Sequence, residues 1–308
     1  MNKIKSSGFS LIELLIALLI FVLVTVPILS TFKISIEKMT AFVDYRKAMN
    51  RRARAVSLLK APVFHCGFGM PYDADKYKES FGSLKFDPFR WDGPISVKTG
   101  ASSLPGSEIR IAYAMPGSTK LADNCITDFP EGSLRLHKFP DPGEIGDSFA
   151  GNKADIRNWI FFSSTTPPST PLRVTGISGK IMQVKNELGK SFRLLKGDRT
   201  YHFRALKLYC LNGTIYTRDY RSAGDQPRIS GIVDMRFDLD KPNKLIKIYI
   251  LVRGDTVYRT KRAIIGKGSW PEEFINEWTE RSPNYQLYAS KVVWRLPNCV
   301  EENILCER

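Results

Sequence analysis

GFSLIELLIALLIFVLVTVPIL, residues 8–29, decides the architecture of this chain. From Leu14 to Leu29 it carries no charge, and Thr25 is its only polar side chain. With Phe9 and Ser10 before it and Ser30 to Phe32 after it, the run passes the roughly 20 residues that span a bilayer. One acid, Glu13, stands near its start. An isolated carboxylate at mid-membrane costs roughly 2.5–3.5 kcal/mol, so something must offset it.

Two ordinary readings of this segment fall short. A secretory signal needs a small-residue cleavage site behind its apolar core, and Ile28-Leu29-Ser30 is a poor one. A simple anchor explains the length but not Glu13. Flanking charge leaves orientation open: Lys3 and Lys5 precede the span, while Lys33, Lys38, Arg46 and Lys47 follow it.

Beyond the span the helical pattern goes on. No Gly interrupts Ile28 to Ala61, and Met39, Phe42, Val43, Met49, Ala53 and Val56 recur mostly at three- and four-residue steps. These residues are expected to form the inner face of an amphipathic half, 33–61, with Pro62 ending the helix. Pro27 is expected to kink it or loosen one turn. Residues 45–60, YRKAMNRRARAVSLLK, hold six basic residues and no acid. A DNA-binding stripe fits that charge. A solvated face or contacts to acidic neighbours fit it better, because the interleaved aromatics of single-strand binders are missing.

Residues 62–308 read as strands and loops. EIRIAYAM (108–115), IVDMRFDL (232–239), KLIKIYILVRGD (244–255) and YASKVVWR (288–295) are strand candidates. LKLYCLNGTIYTRDY (206–220) predicts a hairpin, since Asn212-Gly213 suits a two-residue turn. In that register Cys210 faces Ile215, which marks it as a buried free thiol. Segments 66–107 and 117–132 read as long loops, and SSTTPPSTP (163–171) as a linker or exposed loop. The fold class is α+β: one long N-terminal helix on an antiparallel β-sheet head with long loops.

The 308 residues carry 46 basic and 31 acidic side chains, a formal charge of +15. Such a balance fits nucleic acid, an anionic surface or simply a basic protein. Recognisable catalytic chemistry is missing. Gly189-Lys190-Ser191 ends like a P-loop, but Val184 stands where the first glycine is required. His65, His137 and His202 have no metal-ligand spacing. No cofactor is expected. Asp238, Asp240 and Asn243 form a weak calcium candidate, against which Pro242 and an incomplete ligand pattern argue.

Lys5-Ser6-Ser7-Gly8 followed by Phe9-Ser10-Leu11-Ile12-Glu13 resembles the processing site of type IV prepilins. The resemblance implies a leader, 1–8, that a prepilin peptidase removes by cutting between Gly8 and Phe9, followed by N-methylation of Phe9. A transmembrane and fibre-core helix, 9–32, would follow. It also answers the question of Glu13. Cleavage frees an α-amino group with a pKa near 7.7–8.0, mostly cationic at neutral pH. Glu13, one turn along, can pair with that cation on its own or a neighbouring subunit and so set axial register in a fibre. The plain alternative is a glutamate that snorkels to the headgroups.

The order of features resembles the PilW-like minor pilins and the larger secretion pseudopilins. HCGFGMP (65–71), SEIRIAYA (107–114), GEIGDSF (143–149), the hairpin and KVVWRLPNC (291–299) fall in that order. The resemblance implies a non-enzymatic subunit. It waits in the inner membrane, N-terminus cytoplasmic and head periplasmic, before entering a surface pilus or periplasmic pseudopilus. Implied partners are the peptidase, other minor and major pilins, the assembly platform and the lipid bilayer. DNA or an adhesive target would be a further partner. Pilins often close a C-terminal loop with a disulfide, which implies Cys299–Cys306 first and Cys66–Cys125 second.

Overall fold

The structure, a computed structural model, describes residues 10–84, 86–98, 106–141, 143–146, 156–162, 171–221, 224–260, 262–274 and 284–297. The leader, Gly8, Phe9, Cys299, Cys306 and nearly all of 163–171 lie outside these residues.

Helix α1 runs from Leu11 to Phe64, 54 residues, or about 81 Å at 1.5 Å per residue. It runs on through Pro27, whose carbonyl accepts 2.8 Å hydrogen bonds from the Ser30 and Thr31 hydroxyls. It also passes Pro62, contrary to the expected stop. A proline loses its own N–H bond but can keep helical dihedrals. Here Pro62 is buried, and His65 N closes the last turn on Ala61 O at 3.0 Å.

The segment expected to be a loop over 66–107 contains α2, Ala74–Phe81, and strand β1, Ile95–Lys98. Asp73 caps α2, its Oδ1 accepting from the Asp75 and Lys76 amides. The segment expected to be a loop over 117–132 likewise carries structure. Strand β2 spans Glu108–Lys120, β3 Cys125–Thr127 and β4 Glu131–Arg135. Next come β5 Trp159–Phe162, β6 Leu172–Ser178, β7 Ile181–Lys185, β8 Phe192–Leu194 and β9 Arg199–Leu211. The last are β10 Thr214–Asp219, β11 Gln226–Ser230, β12 Ile232–Asp240, β13 Leu245–Val257 and β14 Tyr285–Arg295.

Long strand β9 organises the larger sheet. It pairs with β2 along one edge and with β5 and then β10 along the other, all antiparallel. The β9–β10 hairpin turns at Asn212 (φ 49°) and Gly213 (φ 73°), the two positive dihedrals that the dipeptide supplies. Cys210 stands opposite Ile215, as expected. Strands β12, β13 and β14 form a separate antiparallel sheet.

The last turns of α1 seat between these two sheets. Ala48, Ala55, Leu59 and Val63 pack with Ile109 and Ile111 of β2, Leu208 of β9, Phe237 of β12 and Ile246, Ile248 and Ile250 of β13. A second cluster is largely aromatic, with Tyr77, Phe81, Phe89, Trp159, Phe161 and Phe203 at its heart. A third fills the far part of the large sheet around Leu134, Val174 and Met182.

A polar knot ties that far region together. Glu144 accepts from Ser118 N and Ser118 Oγ, both at 2.8 Å, and lies 3.5 Å from the ring of buried His202. Burial pushes the Glu144 carboxyl up, but His202 and Ser118 outweigh it and bring its pKa down to about 2 from 4.5. The folded value is below the unfolded one. The stabilisation is therefore whole above pH 4.5 and is lost as pH falls toward about 2. Acid unfolding of the wild type and of Glu144→Gln should show a gap at neutral pH that closes across this window. Parallel curves would remove Glu144 from the account.

Candidate functional site: the N-terminal helix and its seat on the head

Every large apolar side chain from Leu11 to Val43 is exposed, from 77% at Leu11 to 40% at Val43. The apolar segment has mean hydropathy 2.9 and none of it is buried in the chain. Covering one such side chain is worth about 1.5–3 kcal/mol, so this surface requires lipid or other helices.

Ser10 caps the N-terminus of α1. Its Oγ accepts from Glu13 N at 3.2 Å, and Glu13 Oε2 accepts from Ser10 N at 2.9 Å. This reciprocal capping box bends the carboxylate back over the first turn. Glu13 therefore reaches the peptide nitrogen immediately after Phe9. Gly8 and Phe9 themselves are outside the described residues.

At the other end, the face that meets the head differs from the apolar face expected. Met39, Phe42 and Ala53 are exposed, Val43 is largely so, and Met49 and Val56 are only half-buried. The buried line is Asp44, Ala48, Ala55, Leu59 and Val63. Small alanines let the helix approach the sheets closely.

Asp44, only 2% exposed, is the centre of a clasp. Between Arg253 and Val257 the pairing of β13 with β14 slips, a bulge that takes backbone amides out of the ladder. Asp44 collects them. Its Oδ1 accepts from Asp255 N at 3.2 Å, Thr256 N at 3.3 Å and Thr256 Oγ1 at 3.0 Å. Its Oδ2 accepts from Tyr258 OH at 3.1 Å. Gly254 makes room, because a Cβ there would lie 2.7 Å from the Asp44 carboxyl. Around this core, Lys47 pairs with Asp255 at 3.0 Å, and Arg51 donates to Asp255 and, at 2.8 Å, to Arg253 O. Arg51 and Lys47 hold the Asp255 carboxyl below its usual range. The basic stretch 45–60 is thus partly spent within the chain, which breaks up the DNA stripe weighed from sequence.

Asp44 was not singled out in the sequence. A signal existed: it is the one acid between Lys38 and Lys60, and it falls in line with Ala48 and Ala55. Its partners lie more than 200 positions away, and only the fold brings them together.

The expected Cys66–Cys125 disulfide is not formed. Cys66 is buried in the helix-facing core with its Sγ donating to Pro94 O, whereas Cys125 packs beside the far cluster. The two belong to different cores. Cys210 is a free thiol, its Sγ donating to Ile232 O at 3.2 Å, and burial together with nearby Asp234 pushes its pKa up to about 12. In the calcium candidate, Asp238 is taken by Lys247 at 2.8 Å and Asp240 by the Asn243 side chain and amide. Among the described residues no three His, Cys, Asp or Glu side chains gather as metal ligands.

Residues 3–29 match the family described as prokaryotic N-terminal methylation motif. No curated protein and no solved structure matched the chain. The motif marks structural pilin subunits, which are not enzymes. Motif and long apolar helix together fit a type IV pilin-like protein, with a pilin or pseudopilin role and anchoring in the membrane before assembly.

Proposed function

We propose that this chain is a minor type IV pilin that primes or caps the fibre. It is made as a membrane precursor, cut between Gly8 and Phe9 and methylated on Phe9. Platform proteins then draw it from the inner membrane into a pilus with other minor and major pilins. The observation that carries this reading is the uncovered apolar half of α1 below a firmly clasped head. The head, residues 62–308, is bulky for a place at every position of a thin fibre, which supports a terminal site. A secretion pseudopilus would use the same helix; loss of surface fibres, rather than of secretion, on deletion separates the two.

The test has two parts. Intact-mass analysis after co-expression with a prepilin peptidase should give a mature chain beginning at methylated Phe9, and any other first residue overturns the reading. Immunogold labelling of the head should decorate fibre ends; labelling along the whole shaft overturns the terminal role.

A further inference from the structure

Strand β14 stands at one edge of the small sheet, with β13 along one side of it. At its start the other side is taken: Ile265 N donates to Leu287 O at 2.9 Å, and Ala289 N to Ile265 O at 2.8 Å. At its far end Leu296 N turns inward to Lys244 O at 2.9 Å. Backbone direction alternates along a strand, and the register with β13 holds without a slip from Leu287 to Arg295. The outward side past Ala289 therefore belongs to Lys291, Val293 and Arg295. Among the described residues nothing hydrogen-bonds the outward N–H and C=O groups of these three. They leave about 14 Å of open edge.

An open edge pairs with any extended chain unless its side chains prevent it. Here the side chains select. Lys291, Val293 and Arg295 are exposed and share one face. Lys291 Nζ lies 5.5 Å from the centroid of the Tyr249 ring, and neither Lys291 nor Arg295 pairs with a carboxylate among the described residues. Lys247, opposite Val293 on β13, is by contrast matched to Asp238 at 2.8 Å. A second copy of β14 is a poor fit to this edge. Antiparallel pairing centred on Val293 would set Lys291 directly against the other copy's Arg295, and like charges so placed destabilise a ladder.

The opposite face is apolar. Val292 and Trp294 are half-buried toward α1, and Trp294 lies beside Phe64 with ring centroids 6.2 Å apart. Phe64 is itself 43% exposed. A strand added here sends alternate side chains beside Lys291 and Arg295, and the others toward Trp294 and Phe64. The composition that fits is acidic on the first set and apolar on the second.

We propose that this edge takes up an extended segment of a neighbouring fibre subunit in which acidic and apolar side chains alternate, adding a strand to the small sheet. Main-chain hydrogen bonds supply the affinity, and the two basic residues set which strand is admitted. Only the source of the segment rests on the pilin reading; the chemistry of the edge does not.

The test uses the full chain in detergent micelles with two capped hexapeptides, one alternating glutamate with valine and the other lysine with valine, read by hydrogen exchange. The saturating glutamate peptide should slow the Val293 and Arg295 amides about tenfold, and the lysine peptide should leave them unchanged. Val293→Pro removes an outward N–H without touching the ladder to β13, so it should keep the melting midpoint and lose protection at Arg295. Lys291→Glu/Arg295→Glu should reverse the preference between the peptides. Protection by both peptides or by neither overturns the proposal, as does protection that survives Val293→Pro or a preference unmoved by the charge reversal. Binding by a chain cut after Pro297 but not by the full chain also overturns it, since the edge would then seat residues 298–308. In purified fibres a photo-cross-linker at position 293 should join another pilin subunit, and a cross-link within the chain overturns the proposal. A chain that binds the peptide but is missing from fibres overturns the pilin reading, and with it the proposed source.

Discussion

Asp44→Ala should destabilise the chain by about 3–5 kcal/mol, one of the larger effects a single substitution produces. The carboxylate is buried and answers two backbone amides and two hydroxyls. Alanine removes the acceptor and leaves those donors without a partner in a place water reaches poorly. The bulge in β13 then has nothing to hold it open. Thermal unfolding of the full chain in detergent should shift down by on the order of 10 °C. Asp44→Asn keeps one acceptor oxygen but turns an NH2 toward donors, so its loss should lie between wild type and alanine. Tyr258→Phe in the alanine background should add little, because its partner is already gone. An unchanged melting midpoint for Asp44→Ala would mean that the apolar seat of Ala48, Ala55, Leu59 and Val63 holds the helix unaided.

Glu13→Gln should be cut by the peptidase at the normal rate yet enter fibres about a hundredfold less well or worse. Glutamine keeps an oxygen that can accept from Ser10 N, so the capping box and the start of α1 survive. Only the charge is lost. If a freed amine on Phe9 is neutralised by this carboxylate, leaving the amine unpaired in an apolar fibre core costs roughly 3–5 kcal/mol. Normal fibre yield from Glu13→Gln would show that the residue serves merely to cap the helix. Glu13→Ala, which also loses the cap, should be no better than glutamine in assembly and should fray the first turn as well.

These two acids lie at opposite ends of one kind of legibility. Glu13 stood out in the chain because of neighbours within five residues: Gly8, the aromatic Phe9 and the start of an uncharged run. The hairpin at Asn212-Gly213 was legible for the same reason, as its turn requires two positive dihedrals that this dipeptide adopts easily. The inner face of α1 was not. Hydrophobic periodicity selected Met39, Phe42 and Val43, which stand exposed, since that criterion ranks side chains by greasiness. The seat ranks them by size, and Ala48 and Ala55 win. The two thiols offered as a second disulfide failed similarly: nothing in their spacing says that Cys66 and Cys125 belong to different cores.

From its sequence alone the chain is committed to a long helix with an apolar first half, a motif for N-terminal processing and a β-rich remainder. Each of these follows from local composition and short-range sterics. Tertiary structure decided where that helix leaves the head, which of its faces turns inward, and that a bulge more than 200 residues away receives Asp44. It had to, because a buried carboxylate is tolerated only where several donors converge, and that convergence is a property of the folded chain.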